Sequence, residues 1–359
     1  MDLKILVILI AAAHGAGCRN AAEMEYESLY SIGGSVLGVT TVVDSLDVPW
    51  EICWGPDDNI WFTEQSGSIS RYDPRTNVRK RLLFIKNTYR MRTSGLLGMA
   101  LHTDMKRYPY VFIAYTARSN TERQVSRVMR FTYRTDTLTD PLLILEYAAW
   151  SGHFGARVVV APDGKLMVAT GDGAQFENAQ NIKSPHGKIL RFNIDGTVPD
   201  DNPVAGSPVW VYGLRNPQGM AYSAGGTLYS SDHGDATDDE VNRIIRGRNY
   251  GWPHIEGYPD REKEADFARQ RAGTEEPMIA WTPTVAPGHG YHYIGKRLWS
   301  HLSRIVGLLG RMADRYKFGP RKLILTGILF GGIAFVAFGM MTDVWHFYFF
   351  NQTCEYLII

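Results

Sequence analysis

From Ser35 onward the chain alternates short runs of β-branched and aromatic residues with Gly, Pro, Asn and Asp, a pattern that predicts many short strands joined by turns. Sustained helical periodicity is absent before about residue 300. The strand-and-turn pattern recurs loosely, in WGPDDNIWFTEQSGSISRYDPRT at Trp54 to Thr76, in VVAPDGKLMVATGDG at Val159 to Gly173 followed by GKILRFNIDGT at Gly187 to Thr197, and in YSAGGTLYSSDHG at Tyr222 to Gly234. Each copy holds a Pro/Asp/Gly turn, a strand and a second turn, often with a further strand ending in Arg. Small sheets repeated at intervals of tens of residues must bury their faces against one another, which predicts an all-β chain with blades arranged radially as a β-propeller. The spacing is irregular, so the pattern alone leaves a β-sandwich pair or another antiparallel fold open.

Two stretches depart from this pattern. Residues 1–17 read as an export signal: Lys4, an apolar run Ile5 to Ala13, then Gly15, Ala16 and Gly17 before Cys18. The small residues before Cys18 resemble a bacterial lipoprotein processing site, which makes Cys18 a candidate for lipid attachment and places the chain in the periplasm or cell envelope. Leu323 to Met341 is an uncharged apolar run of nineteen residues, long enough to cross a bilayer as a helix, with Trp345, Tyr348 and neighbouring Phe residues beside it as an interface belt. Segments 1–17, 24–298, 299–322, 323–341 and 342–359 are therefore expected to be signal, propeller, basic linker, membrane span and tail. The net charge of +1 argues against nucleic acid as a partner, and Cys18, Cys53 and Cys354 lie too far apart to show metal-ligand spacing.

Polar groups concentrate between Val209 and Pro253, where Arg215, Asn216, Gln218, Asp232, His233, Asp235, Asp238, Asp239 and Glu240 are set among short apolar strands. Gly213 and the Asn216-Pro217 pair place Arg215 and Asn216 at a strand end or turn. Asp238, Asp239 and Glu240 suit a hard cation such as calcium, although by composition an acidic turn is first a solvated loop and the order does not match an EF-hand. In SGHFGARVVV, His153 occupies a Gly-flanked turn just before a strand. A histidine there can serve as a general base or as a hydrogen-bonded structural group.

The segments PWEICWGPDDNIWFTE, GLLGMALHTD, HFGARVVVAPDGKLMVATGD, HGKILRFNIDGTVPDDNP, GLRNPQG, DDEVNRIIRGRNYGWP and WTPTVAPGHGYHY together resemble the glucose/sorbosone dehydrogenase family from about residue 35 to 295. These are soluble aldose sugar dehydrogenases that use pyrroloquinoline quinone (PQQ) on a six-bladed β-propeller. The resemblance implies that His153 is the catalytic base, that Arg215 contacts both PQQ and substrate, and that Asn216 and Gln218 belong to the PQQ site. It places the backbone carbonyls of Gly234 and Asp235 where the family holds the calcium ion that binds PQQ, and Glu240 with the Tyr250 carbonyl at a second, structural calcium. It implies a sugar substrate, a lactone product, an external electron acceptor and a homodimer. Thr93 stands where some members carry a glutamine that contacts PQQ.

The last blades of the family are expected to be missing, because the resemblance ends near Tyr293 to Trp299. GRMADRYKFGPRKLI, at Gly310 to Ile324, instead resembles a cytoplasmic loop of major facilitator superfamily transporters. Arg304, Arg311, Arg315, Lys317, Arg321 and Lys322 precede the apolar run, so the positive-inside tendency sets residues 300–322 in the cytoplasm while an export signal sets 24–298 outside. The conflict suggests a sugar dehydrogenase joined to a piece of an unrelated transporter. A non-catalytic propeller acting as a binding module, or an inactive fusion product, is the competing reading.

Overall fold

The computed structural model describes residues 3–10, 28–32, 35–119, 121, 123–271, 273–288 and 356–358. The chain divides into two compact units, Asp47–Gly290 and a second made from Met1–Leu46 with Tyr291–Ile359.

In the second unit, β1 (Leu3–Ile10), β2 (Ser28–Ile32), β3 (Ser35–Leu46) and the closing strand Tyr356–Ile358 form one sheet in which β3 lies between β2 and β1. Ser28–Ile32 and Ser35–Leu46 were expected within the propeller segment, yet their ladder partners belong to this separate sheet. Among the described residues no helix is long and apolar enough to cross a membrane. The apolar run 323–341, the basic stretch 299–322 and residues 11–17 of the signal-like segment lie outside the described residues.

The unit Asp47–Gly290 consists of four antiparallel four-stranded sheets, each wound in sequence order. Blade 1 holds β4 (Pro49–Trp54), β5 (Ile60–Glu64), β6 (Ser68–Asp73) and β7 (Val78–Phe84); blade 2 holds β8 (Leu96–Leu101), β9 (Tyr110–Arg118), β10 (Gln124–Arg134) and β11 (Thr137–Ala148). Blade 3 holds β12 (Gly155–Val160), β13 (Leu166–Thr170), β14 (Lys188–Phe192) and β15 (Val209–Tyr212). Blade 4 holds β16 (Pro217–Tyr222), β17 (Leu228–Asp232), β18 (Asp239–Ile244) and β19 (Ile279–Trp281). The first strands lie beside one another in the order β4, β8, β12, β16, which is the inner wall of a propeller.

Burial follows from this arrangement. All five residues of the second strands β5, β13 and β17 are buried, β13 between blades 2 and 4, whereas the outer strands β7 and β11 are largely exposed. Because successive side chains of a strand point to opposite faces, a single strand supplies two cores. Val111, Ile113, Tyr115 and Ala117 of β9 pack toward blade 1 with Trp61 and Ile69, while Phe112 and Ala114 pack toward blade 3 with Leu166 and Val168. In β13, Leu166 and Val168 face blade 2; Met167 and Ala169 face Met220 and Leu228 of blade 4. Each apolar core is a seam between two blades.

A polar network crosses the seams near the inner wall. Buried Glu51 of β4 is ion-paired with buried Arg157 of β12 and is within 3.4 Å of the Met99 N–H of β8, while Arg157 Nε donates to the Gln218 carbonyl of β16 at 2.8 Å. One ion pair thus touches all four blades. A further bond recurs at one end of three blades, where the second strand closes against the start of the first. Glu64 accepts the Asp47 N–H at 2.9 Å, Thr116 the Gly95 N–H at 2.8 Å, and Asp232 the N–H groups of Arg215 and Asn216 at 2.9 and 2.6 Å.

A further element departs from the sequence expectation. Residues Glu262–Gln270 form the helix α1, inserted between β18 and β19. The sequence EKEADFARQ offers too few apolar positions to display a helical stripe. Its start is fixed by Glu264, buried, whose carboxylate accepts the Arg261 N–H at 3.1 Å.

Candidate functional site

The blade end that carries these closing bonds also collects the candidate residues. His153 lies two residues before β12, and Arg215 and Asn216 immediately precede β16, so chain segments far apart in sequence meet beside the seam of blades 3 and 4. The close approach is built on small residues. A Cβ on Gly171 would fall 1.9 Å from the His153 carbonyl oxygen, and His153 itself takes a positive φ of 51°.

His153 Nδ1 is 2.7 Å from Asp172 Oδ1, with Asp172 fully buried. Asp172 Oδ1 also accepts the Ala174 N–H at 2.7 Å, and its Oδ2 accepts the Trp252 indole N–H at 2.8 Å. A carboxylate facing two obligatory donors completes its shell by accepting from His153, which puts the imidazole proton on Nδ1 and the lone pair on Nε2. The side chain of His153 retains 21 % exposure, whereas Asp172 beneath it has none. Phe176 lies nearly parallel to the imidazole, centroids 6.4 Å apart, and meets Trp252 edge-on at 5.2 Å.

Trp252 connects this dyad to the cationic side of the site, because the Arg215 guanidinium sits 5.3 Å from its ring centre. Arg215 donates to the His233 carbonyl at 3.1 Å and to Asp235 Oδ1 at 2.6 Å, leaving its buried Nε–H without a partner among the described residues. An orphaned buried donor of this kind marks a place where a ligand acceptor would be welcome. Asn216 Oδ1 accepts from Gly155 N at 3.1 Å and from Gln218 Nε2 at 2.9 Å, so Gln218 orients Asn216 across the seam.

A small cleft beside Arg215 is lined by Asp232, His233, Gly234, Asp238, Glu240, Trp252 and Glu256. Burial raises the pKa of Asp232 and of Glu240, and each carboxylate acts against its neighbours. Burial also holds His233 below the usual imidazole range, its Nε2 donating to the Pro287 carbonyl at 3.0 Å. Glu240 accepts from Asn242 Nδ2 at 2.8 Å and Gly257 N at 2.9 Å. Among the described residues no three His, Cys, Asp or Glu side chains converge as a metal-binding group. Gly234 and Glu240 share the cleft; Asp235 is engaged by Arg215, and Tyr250, buried, does not line the cleft, its hydroxyl donating to the Arg243 carbonyl at 2.6 Å.

Sequence reasoning missed Asp172 and Trp252. Asp172 stands between two glycines and reads as turn punctuation, and Trp252 reads as the aromatic before a proline. Replacing Trp252 by Phe is expected to keep the ring beside Arg215 but leave Asp172 Oδ2 without its donor. The expected loss is about 1–3 kcal/mol of stability, read as a lower urea midpoint at unchanged slope.

The family model for glucose/sorbosone dehydrogenases matches residues 46–322, continuing through the basic stretch that resembles a transporter loop. Quinoprotein glucose dehydrogenase B of Acinetobacter calcoaceticus is 33% identical over 252 residues, which is 61% of this chain and 53% of that protein. The chain thus spans about half the length of that relative. Aldose sugar dehydrogenase YliI of Escherichia coli is 27% identical over 270 residues, covering 70% of this chain and 72% of the relative. The PQQ-bound structure of an aldose sugar dehydrogenase from Streptomyces coelicolor superimposes with a TM-score of 0.61 at 30% identity, covering 68% of this chain and 72% of that one.

Proposed function

The chain belongs to the glucose/sorbosone dehydrogenase family, and from that premise we propose that it oxidises an aldose at the anomeric carbon to its lactone with PQQ and calcium. The observation that carries this reading is the His153–Asp172 pair, with imidazole Nε2 available beside a guanidinium that has a spare donor. A binding module would need neither a buried carboxylate holding one tautomer nor the lone pair on Nε2 that results.

PQQ is a planar quinone bearing several carboxylates, and bound at this site it would supply the acceptor for the hydride that leaves the sugar. The residues present fit such a group. Arg215 Nε offers an unsatisfied donor, Asn216 is held in place by Gln218, and Arg215 provides positive charge. The carbonyls of Gly234 and Asp235 accept no hydrogen bond among the described residues, and burial pushes the nearby Asp232 and Glu240 carboxylates toward protonation. Oxygen donors of this kind suit calcium, with Gly234 and Asp235 at one ion and Glu240 with the Tyr250 carbonyl at another.

His153 Nε2 takes the proton of the anomeric hydroxyl as the C–H bond at that carbon breaks and the C=O bond of the lactone forms. Asp172 holds the ring in the tautomer that can accept this proton and stabilises the imidazolium that results. Phe176 lies parallel to the imidazole, and Trp252, edge-on to Phe176, holds the second oxygen of Asp172. The reading includes export through residues 1–17, with an external electron acceptor that regenerates the enzyme, lipid on Cys18 and pairing of subunits as its further elements.

The test is sugar-dependent dye reduction by the full chain after loading with PQQ and calcium. Reduction that requires sugar, PQQ and calcium together is expected. Uptake of PQQ without any sugar-dependent reduction would overturn the catalytic reading in favour of a binding module. Calcium is further expected to raise the thermal midpoint of the loaded chain, and excess chelator to lower it again.

A further inference from the structure

Lys188, the first residue of β14, is fully buried, and among the described residues its ammonium is paired with no carboxylate. Its Nζ donates to three main-chain carbonyls, Asn178 at 2.9 Å, Ala179 at 2.8 Å and His186 at 2.6 Å. All three lie in the connection between β13 and β14, which carries Asp172 near its start and contains the 3-10 turn Phe176–Ala179. Burial pulls the Lys188 amine down to about 7, and the carbonyl oxygens are the groups that favour its charged form. An unpaired charge is costly in such a place, so its retention calls for a role.

The turn is held at further points. Gly213 N also donates to the Ala179 carbonyl at 3.0 Å, while Gln180 Nε2 bonds Asn249 Oδ1 at 3.0 Å and the Trp252 carbonyl at 2.6 Å. What the turn presents to the site is Phe176, exposed, parallel to the His153 ring and edge-on to Trp252.

We propose that Lys188 is a positioning residue for the His153 site, its buried ammonium fixing the turn that sets Phe176 against the imidazole as one wall of the sugar subsite. The inference rests on the dehydrogenase reading for its kinetic consequence, but not for its structural one. Without the ammonium three buried carbonyls lose a donor, the turn loosens, and Phe176 no longer defines the space in which the anomeric hydroxyl meets Nε2. A subsite wall that is no longer held weakens binding of the sugar without removing any reacting group, which raises KM more than it lowers kcat.

The experiment compares the full-length wild type, Lys188→Met, Phe176→Ala and the double variant, all loaded with PQQ and calcium. Lys188→Met is expected to lower kcat/KM for the sugar about ten- to a hundredfold, mainly through KM, with PQQ uptake unchanged. The double variant is expected to match Phe176→Ala alone, because a residue acting through Phe176 has nothing left to position. Additive effects in the double variant, or a Lys188→Met enzyme with wild-type KM, would overturn the proposal. Amide exchange over residues 174–187 supplies a readout independent of activity. Loss of protection there in Lys188→Met, with β13 unchanged, is expected; native protection overturns the proposal even if no sugar is oxidised. Should Lys188→Met fail to fold, Phe176→Ala decides it, since an unchanged KM in that variant also overturns the proposal.

Discussion

Replacing His153 by Gln is expected to lower kcat for sugar oxidation by about 10²–10⁴-fold while PQQ uptake and thermal stability stay near those of the wild type. Glutamine can donate to Asp172 from its amide nitrogen, so the buried carboxylate keeps a partner and the fold has little reason to change. What disappears is the lone pair at Nε2. Asp172→Asn is the companion measurement, because an asparagine amide can donate to Nδ1 and so favours the tautomer with its proton on Nε2, where it cannot accept another. A fall in kcat in both variants, seen in single turnovers with the loaded enzyme, would assign proton removal to this pair. Full turnover by His153→Gln would remove His153 from the chemistry.

The largest expected effect on stability comes from Arg157→Met, which leaves Glu51 at the inner wall without its counter-charge. Removing one member of a buried ion pair costs about 3–5 kcal/mol, since the remaining charge is neither solvated nor paired. Here Arg157 also lies 4.2 Å from the Trp50 ring and bonds the Gln218 carbonyl, so several blades lose a contact together. Burial already raises the Glu51 carboxyl above its ordinary range, with Arg157 as the main opposing influence. Deleting Arg157 raises it further. A carboxyl whose folded pKa exceeds its unfolded value costs stability increasingly as pH climbs from the unfolded value through the folded one. The deficit of Arg157→Met should therefore be larger in urea unfolding at about pH 8 than at about pH 5, and Glu51→Gln added to it should recover part of the loss. A deficit independent of pH, unaffected by Glu51→Gln, would show that packing rather than charge is responsible.

Much of the fold was legible because three of four blades advertise themselves in the same way. The turns at Asp57-Asp58, Asp163-Gly164 and Gly225-Gly226 precede β5, β13 and β17, each buried along its whole length. Blade 2 lacks that mark. Its first turn, between β8 and β9, spans His102 to Pro109 and carries Met105, Lys106 and Arg107 in place of a compact Pro/Asp/Gly motif. The helix α1 escaped for the opposite reason, having charges where an apolar stripe would be needed.

At the site, His153 and the Arg215-Asn216-Gln218 run were legible through their turns and through family resemblance, and the structure brings them together at the seam of blades 3 and 4. Asp172, Trp252 and Lys188 were not, since their roles depend on which groups face them across a seam. Nothing in GDG, GWP or GKIL tells a partnered carboxylate, indole or ammonium from a turn, a stacking residue or a strand start.

The closing bonds made by Glu64, Thr116 and Asp232 carry one more implication. In an ordinary half-buried strand, slipping by one residue turns polar groups into the core, and that penalty fixes the register. A strand such as β9, whose Val111–Ala114 are apolar toward both neighbours, has no such safeguard, and a slipped copy would merely trade one seam's side chains for another's. Alignment must come instead from the polar residues at the strand ends, each fitting only its own N–H groups. Asp232 is thus an alignment key as well as a wall of the site, and substitutions there should yield misregistered, aggregation-prone chains during folding in addition to any change in what the finished site can bind.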